Sequence, residues 1–167
     1  MALADWFSTF CSNLQIRDGG TIATRSGKIT RRLNTDFWST TSDSSHSLYV
    51  GSYGRNTAIS GFSDFDLIFQ LPYSVYKQYN DYAGNGQSSL PQAVKASIER
   101  IYSTTNIRAD GQVIQVPFID GITFEVVPAF GCRFLSGSSL LRCCSNSRSR
   151  RTPPRVSILA SNTSVRT

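Results

Sequence analysis

The sequence predicts an α+β fold, a mixed sheet with helices packed on one face, from three observations. Short β-prone runs recur at Leu48–Val50, Phe65–Leu71, Val113–Phe118 and Ile122–Phe130. Segments between and before them carry apolar residues at helical spacing. Through Gly131 the charges nearly balance, ten basic against eleven acidic, as in an ordinary folded body. A stretch of about 130 patterned residues is long enough for one domain with a real core.

The elements follow in order. Leu3, Trp6, Phe7, Phe10 and Leu14 lie on one helical face, predicting an amphipathic N-terminal helix with Cys11 on its apolar side. A second helix is expected from Gly20 to Phe37, with Ile22, Ile29, Leu33 and Phe37 inward and Arg25, Lys28, Arg31 and Arg32 on a solvated face. Ser39–Ser47 is a Ser/Thr-rich loop, and His46 within it, the sole histidine, is read as a loop residue and neither base nor ligand. Tyr73–Tyr82 predicts a helix whose aromatic stripe serves packing. Gly84-Asn85-Gly86 marks a loop, after which Ser88 or Ser89 caps a helix with Pro91 in its first turn, running to about Tyr102. Val113, Gln115 and Pro117 alternate with Ile114, Val116 and Phe118, giving a strand before the Ile122–Phe130 strand.

The chemistry concentrates in YVGSYGRNTAISGFSDFDLIFQL, Tyr49 to Leu71. Residues i and i+2 of a strand share a face, so Asp64 and Asp66 project side by side while Phe65 and Leu67 enter the core. Two neighbouring carboxylates repel, and a divalent cation relieves the repulsion; hard oxygen ligands favour Mg²⁺ or Mn²⁺. Gly51 lets the backbone approach a phosphate, the Ser52 hydroxyl can donate to one, and Arg55 and Thr57 extend the polar loop as further phosphate contacts. Gly-Ser pairs and Asp-x-Asp triplets are each common; their joint occurrence between two apolar strands is the specific signal. Ile122–Phe130 adds Glu125 as the one charge on an apolar strand. Alternation alone leaves Glu125 facing either solvent or a cleft, and the two aspartates favour the cleft.

These residues resemble a family. Gly51-Ser52, Asp64-x-Asp66 and a later acidic strand match the nucleotidyltransferase (polymerase β-like) superfamily. The finer match, YVGSYGRNTAISGFSDFDLIFQLP with GNGQSSLPQAV, DGQVIQVPF and ITFEVVPAF, resembles the bacterial CD-NTases, the cGAS/DncV-like or SMODS enzymes, over Trp6 to Phe130. The resemblance implies a nucleotidyltransferase palm with Asp64, Asp66 and Glu125 as catalytic, metal-binding carboxylates. It further implies Gly51 and Ser52 at the triphosphate, NTP substrates, and a cyclic oligonucleotide product used in antiphage signalling. Many superfamily members carry Asp where this chain has Glu125, one methylene longer. Alternative readings are a transferase acting on RNA, protein or a small molecule, and a non-catalytic nucleotide- or nucleic-acid-binding fragment.

Composition divides the chain into 1–131, the catalytic domain, and 132–167, which has seven arginines, nine serines, three cysteines and no Lys, Asp or Glu. The latter is expected to be a disordered tail. A frame-shifted end is preferred to a nucleic-acid-binding arm. The resembling family continues past the third carboxylate into a helical domain, so the chain is expected to be truncated and its activity is in question. No transmembrane run, signal peptide or CxxC pair is present, and the cysteine usage suits a reducing, cytoplasmic setting. Oligomeric state is not readable from the sequence.

Overall fold

The computed structural model describes residues 3–14, 19–60, 64–81, 86–133 and 139–143. Six strands form one sheet: β1 (Ser47–Tyr49), β2 (Asp64–Leu71), β5 (Thr123–Arg133), β4 (Val113–Pro117) and β3 (Arg108–Asp110) in spatial order, with β6 (Ser139–Cys143) also on β5. β2 and β5 run parallel, Asp64 through Leu71 opposite Thr123 through Phe130, and every other pairing is antiparallel. The sheet is therefore mixed, as expected of this α+β fold.

Strict alternation in β2 buries Phe65, Leu67, Phe69 and Leu71 on one face, each at most 1% exposed. Ile114 and Val116 of β4 and Phe124 and Val126 of β5 join them. Phe65 and Phe124 pack with ring centroids 4.7 Å apart. Pro72 ends β2, since it has no N–H to continue the ladder. Pro128 lies inside β5, yet β4 pairs only through Val126 and β6 begins at Ala129, so Pro128 falls where the ladder on that edge is interrupted.

Helices α2 (Gly19–Leu33), α4 (Tyr73–Asn80) and α5 (Gly86–Glu99) cover the apolar face. Ile22, Ile29 and Leu33 of α2 and Leu90, Val94 and Ile98 of α5 point into this core. The helix expected over Gly20–Phe37 is α-helical only to Leu33 and then widens into a π-helical turn, Asn34–Trp38. Asn34 is buried there, its Nδ2 donating to the carbonyls of Ser42 and Ser45 and its Oδ1 facing His46 Nδ1 at 2.7 Å. Pinning the following loop in this way changes the helical pitch, and Ser39, at φ 55, ends it.

Other expectations shift. α5 starts at Gly86, so Ser88 and Ser89 lie inside its first turn and do not cap it. Pro91 then sits in the helix body, where it has no N–H to give the carbonyl of Gln87. α1 (Leu3–Leu14) forms, but none of its residues is buried: Leu3, Trp6 and Phe7 are 83, 63 and 60% exposed, and Cys11 is exposed. On the basic face of α2, Lys28 and Arg31 are exposed as expected, while Arg25 and Arg32 are half-buried and paired with Asp120 and Asp36. The tyrosine stripe of α4 packs in part, Tyr76 edge-on to Phe130, while Tyr73 is 65% exposed. β3 and β6 have no alternation that announces them; β5 supplies the template for β6. Residue 131, the expected end of the domain, lies within β5; of the expected disordered tail, 132–133 continue β5 and Ser139–Cys143 form β6, and 134–138 and 144–167 lie outside the described residues.

Candidate active site

The face of the sheet opposite the core carries the acidic residues. Parallel register sets Asp66 beside Glu125, and Asp64, two residues earlier in β2, shares their face. Antiparallel register sets Gln115 of β4 on the other side of Glu125, and Arg108 of β3 beyond it. A row of Asp66, Glu125, Gln115 and Arg108 therefore crosses four strands. Asp64 is exposed, and Asp66, Gln115 and Glu125 are half-buried. Gln115 Nε2 donates to Glu125 Oε1 at 3.1 Å.

Gly51 and Ser52 open a one-turn helix, α3 (Gly51–Gly54), where the sequence predicted an irregular loop. The Val50 amide donates to the Asp66 carbonyl at 3.1 Å, fastening this turn to β2. Gly51 adopts φ +62 with the Asp66 carboxylate packed against it, and a side chain there would collide with Asp66 Oδ2. Gly54 abuts the Tyr49 carbonyl in the same way. The Gly54 amide donates to the Val50 carbonyl at 3.0 Å and closes the turn. Ser52 is half-buried, and its carbonyl accepts from the Thr57 amide at 2.9 Å. Arg55 and Thr57 are exposed; the Thr57 hydroxyl lies 3.4 Å from the Ser52 carbonyl.

Among the described residues, Asp64, Asp66 and Glu125 form no ion pair. Three hard carboxylates on one face are the donor set that suits Mg²⁺ or Mn²⁺. Also among the described residues, no three His, Cys, Asp or Glu side chains converge on a single point. Glu125 Oε1 accepts from Gln115, and Asp66 Oδ2 lies against Gly51.

Charge is compensated elsewhere. At the β4–β5 turn Arg25 pairs with Asp120 at 2.8 Å and lies over the Phe118 ring, 4.1 Å from its centroid. Desolvation raises the Asp120 carboxyl, but the Ile122 amide and Arg25 outweigh it and hold Asp120 below its ordinary range. An open hollow of about 690 Å³ lies beside this pair, lined by Thr24, Arg25, Lys28, Tyr102 and Phe118 and by none of the candidate residues. His46 is a structural loop residue, stacked on Trp38 with centroids 3.9 Å apart, and desolvation lowers its imidazole from the ordinary value. No helix among the described residues is long and apolar enough to cross a membrane.

Sequence reasoning read Gln115 only as a strand residue. A signal existed: it is the polar residue on the face of β4 opposite Ile114 and Val116, and the turn between β4 and β5 sets which residue it meets.

Comparisons with known proteins place this geometry in a family. The CD-NTase CdnG of Bradyrhizobium diazoefficiens, in complex with GTP, is similar at TM-score 0.55 and 13% identity, over 78% of this chain and 40% of that one. The E. coli MS115-1 CdnC:HORMA-deltaN complex is similar at TM-score 0.50 and 13% identity, over 77% of this chain and 42% of that one. The Elizabethkingia meningoseptica CdnE cyclic dinucleotide synthase with GTP and Apcpp aligns at TM-score 0.47 and 21% identity, over 79% and 44%. The likenesses to CdnG and CdnC establish the fold, and the chain spans less than half the length of each of the three proteins. No curated protein matches. The Second Messenger Oligonucleotide or Dinucleotide Synthetase domain matches residues 1–161. With that match over nearly its whole length, and a sheet that sets Asp66 beside Glu125, the chain belongs to the SMODS family.

Proposed function

We propose that this chain is the palm of a metal-dependent nucleotidyltransferase that joins NTPs into a cyclic oligonucleotide signal, serving antiphage defence in the cytoplasm. The observation that carries the reading is the β2–β5 register, which sets Asp66 beside Glu125 with Asp64 on the same face. The GTP and Apcpp bound by the CdnG and CdnE structures support nucleoside triphosphates as the substrate class.

Asp64, Asp66 and Glu125 would hold Mg²⁺ or Mn²⁺, which when bound supplies activation of the attacking hydroxyl and neutralisation of triphosphate charge. The protein's own part is positioning. Gly51 removes the side chain that would separate α3 from the carboxylates, and Ser52 and the adjoining first-turn amides present donors to phosphate oxygens. Arg55, exposed at the end of α3, offers a cation to the same phosphates. Asp66 or Glu125 can accept the hydroxyl proton as the new phosphodiester forms and pyrophosphate leaves.

Incubating the full chain with labelled ATP, GTP, CTP and UTP and Mg²⁺ tests this. Phosphatase-resistant cyclic products that disappear on changing Asp64 and Asp66 to Ala are expected. Linear or acceptor-linked products would overturn the cyclase reading, and absence of Mg²⁺-dependent pyrophosphate release would overturn catalysis by this chain.

A further inference from the structure

Glu125 is the central member of the polar row, and its two neighbours are unlike. On one side stands Asp66, an acid in direct register; on the other stands Gln115, whose amide donates to Glu125 Oε1 at 3.1 Å. Left to electrostatics, the two carboxylates would swing apart without a fixed direction, since a glutamate has three torsions to turn about. Gln115 sets that direction. Its own backbone is fixed, because Ile114 and Val116 on either side are fully buried on the core face and hold the Gln115 side chain to the acidic face. Among the described residues the second carboxylate oxygen, Oε2, accepts no hydrogen bond and is left for a ligand.

We propose that Gln115 is a positioning residue: its amide holds one oxygen of Glu125 and so presents the other, alongside Asp66, to a divalent cation. This rests on the reading of Asp64, Asp66 and Glu125 as metal ligands given above. A partner that orients a ligating carboxylate typically contributes tenfold or more to metal affinity. Leucine removes the amide donor and keeps an apolar stem on β4, and methionine does so at the full unbranched reach of glutamine, so an effect shared by the two addresses the hydrogen bond and not the packing of β4.

The test is Mn²⁺ binding to the full chain, followed by electron paramagnetic resonance, with each variant's melting temperature measured in metal-free buffer. For Gln115→Leu we expect binding weaker by about tenfold, an altered spectrum of the bound ion, and an unchanged metal-free melting temperature. Gln115→Met, with the same reach and no donor, is expected to do the same and serves if the leucine variant fails to fold. Glu125→Gln and Asp64→Asn are expected to weaken binding at least as much. Mn²⁺ affinity within twofold of the parent for both Gln115 variants, while Glu125→Gln weakens it, would overturn the role of Gln115 and leave the proposed function standing. Unchanged binding in Glu125→Gln and Asp64→Asn together would overturn the carboxylate reading itself, and the positioning role with it.

Discussion

The Asp66 carboxylate occupies the space in which a side chain on Gly51 would lie, and Gly51 sits at φ +62, so the two halves of the motif are in contact. Gly51→Ala must strain the backbone and displace Asp66 at once. Loss of about 1 to 2 kcal/mol of stability is expected from the left-handed backbone alone. Urea titration reads the first effect, and a fall in Mn²⁺ affinity greater than that of Ser52→Ala reads the second.

Asp66 and Glu125 are like charges in direct register with no ion-pair partner among the described residues. Asp66→Asn is expected to abolish Mg²⁺-dependent pyrophosphate release while raising metal-free stability, by about 0.2 to 1 kcal/mol. Calorimetry with and without Mg²⁺ separates the two effects, since Mg²⁺ should raise the melting temperature of the parent and not of the variant.

Asp36 joins three elements. Its carboxylate takes hydrogen bonds from Arg32 of α2 and from Ser97 Oγ of α5 at 2.6 Å, and pairs with Arg100 at 3.3 Å. Asp36→Ala leaves the buried Ser97 hydroxyl without this acceptor and should cost about 2 kcal/mol. A shift of the urea midpoint with an unchanged slope would be the signature.

Burial depresses the His46 imidazole below its ordinary value of 6.5. The unfolded chain therefore binds this proton more readily than the folded one, and stability rises with pH across the interval. His46 contributes fully above about pH 6.5, and the contribution is lost as pH falls through the lower folded value. Melting temperatures between pH 5 and 8 should slope accordingly, and His46→Asn, which tolerates the positive φ of 63, should flatten the slope.

Much of this was legible because alternation is a local signal. Phe65 to Leu71 and Ile122 to Phe130 announce both strands and set the aspartates opposite the core; both strands formed, β2 from Asp64 and β5 from Thr123 on to Arg133. Register is not local, and so the meeting of Glu125 with Gln115, and of Arg108 with Gln115, had to come from the fold. β3 spans only Arg108–Asp110, too short to carry a period of its own. The helix read over Gly20–Phe37 lost its pitch at Asn34 because a buried amide satisfied a distant loop, which no periodicity records. α1 was read correctly as a helix, yet amphipathicity does not say what its apolar face meets.

The parallel pairing of β2 with β5 also sets when the site comes into being. A parallel pair needs a crossover, and here it encloses α4, α5, β3 and β4, so the closure is long in sequence and slow relative to hairpins. Asp64 and Asp66 emerge from the ribosome well before their third partner. The acidic face, with its mutual repulsion, is complete only once the hydrophobic face of β5 docks beside β2.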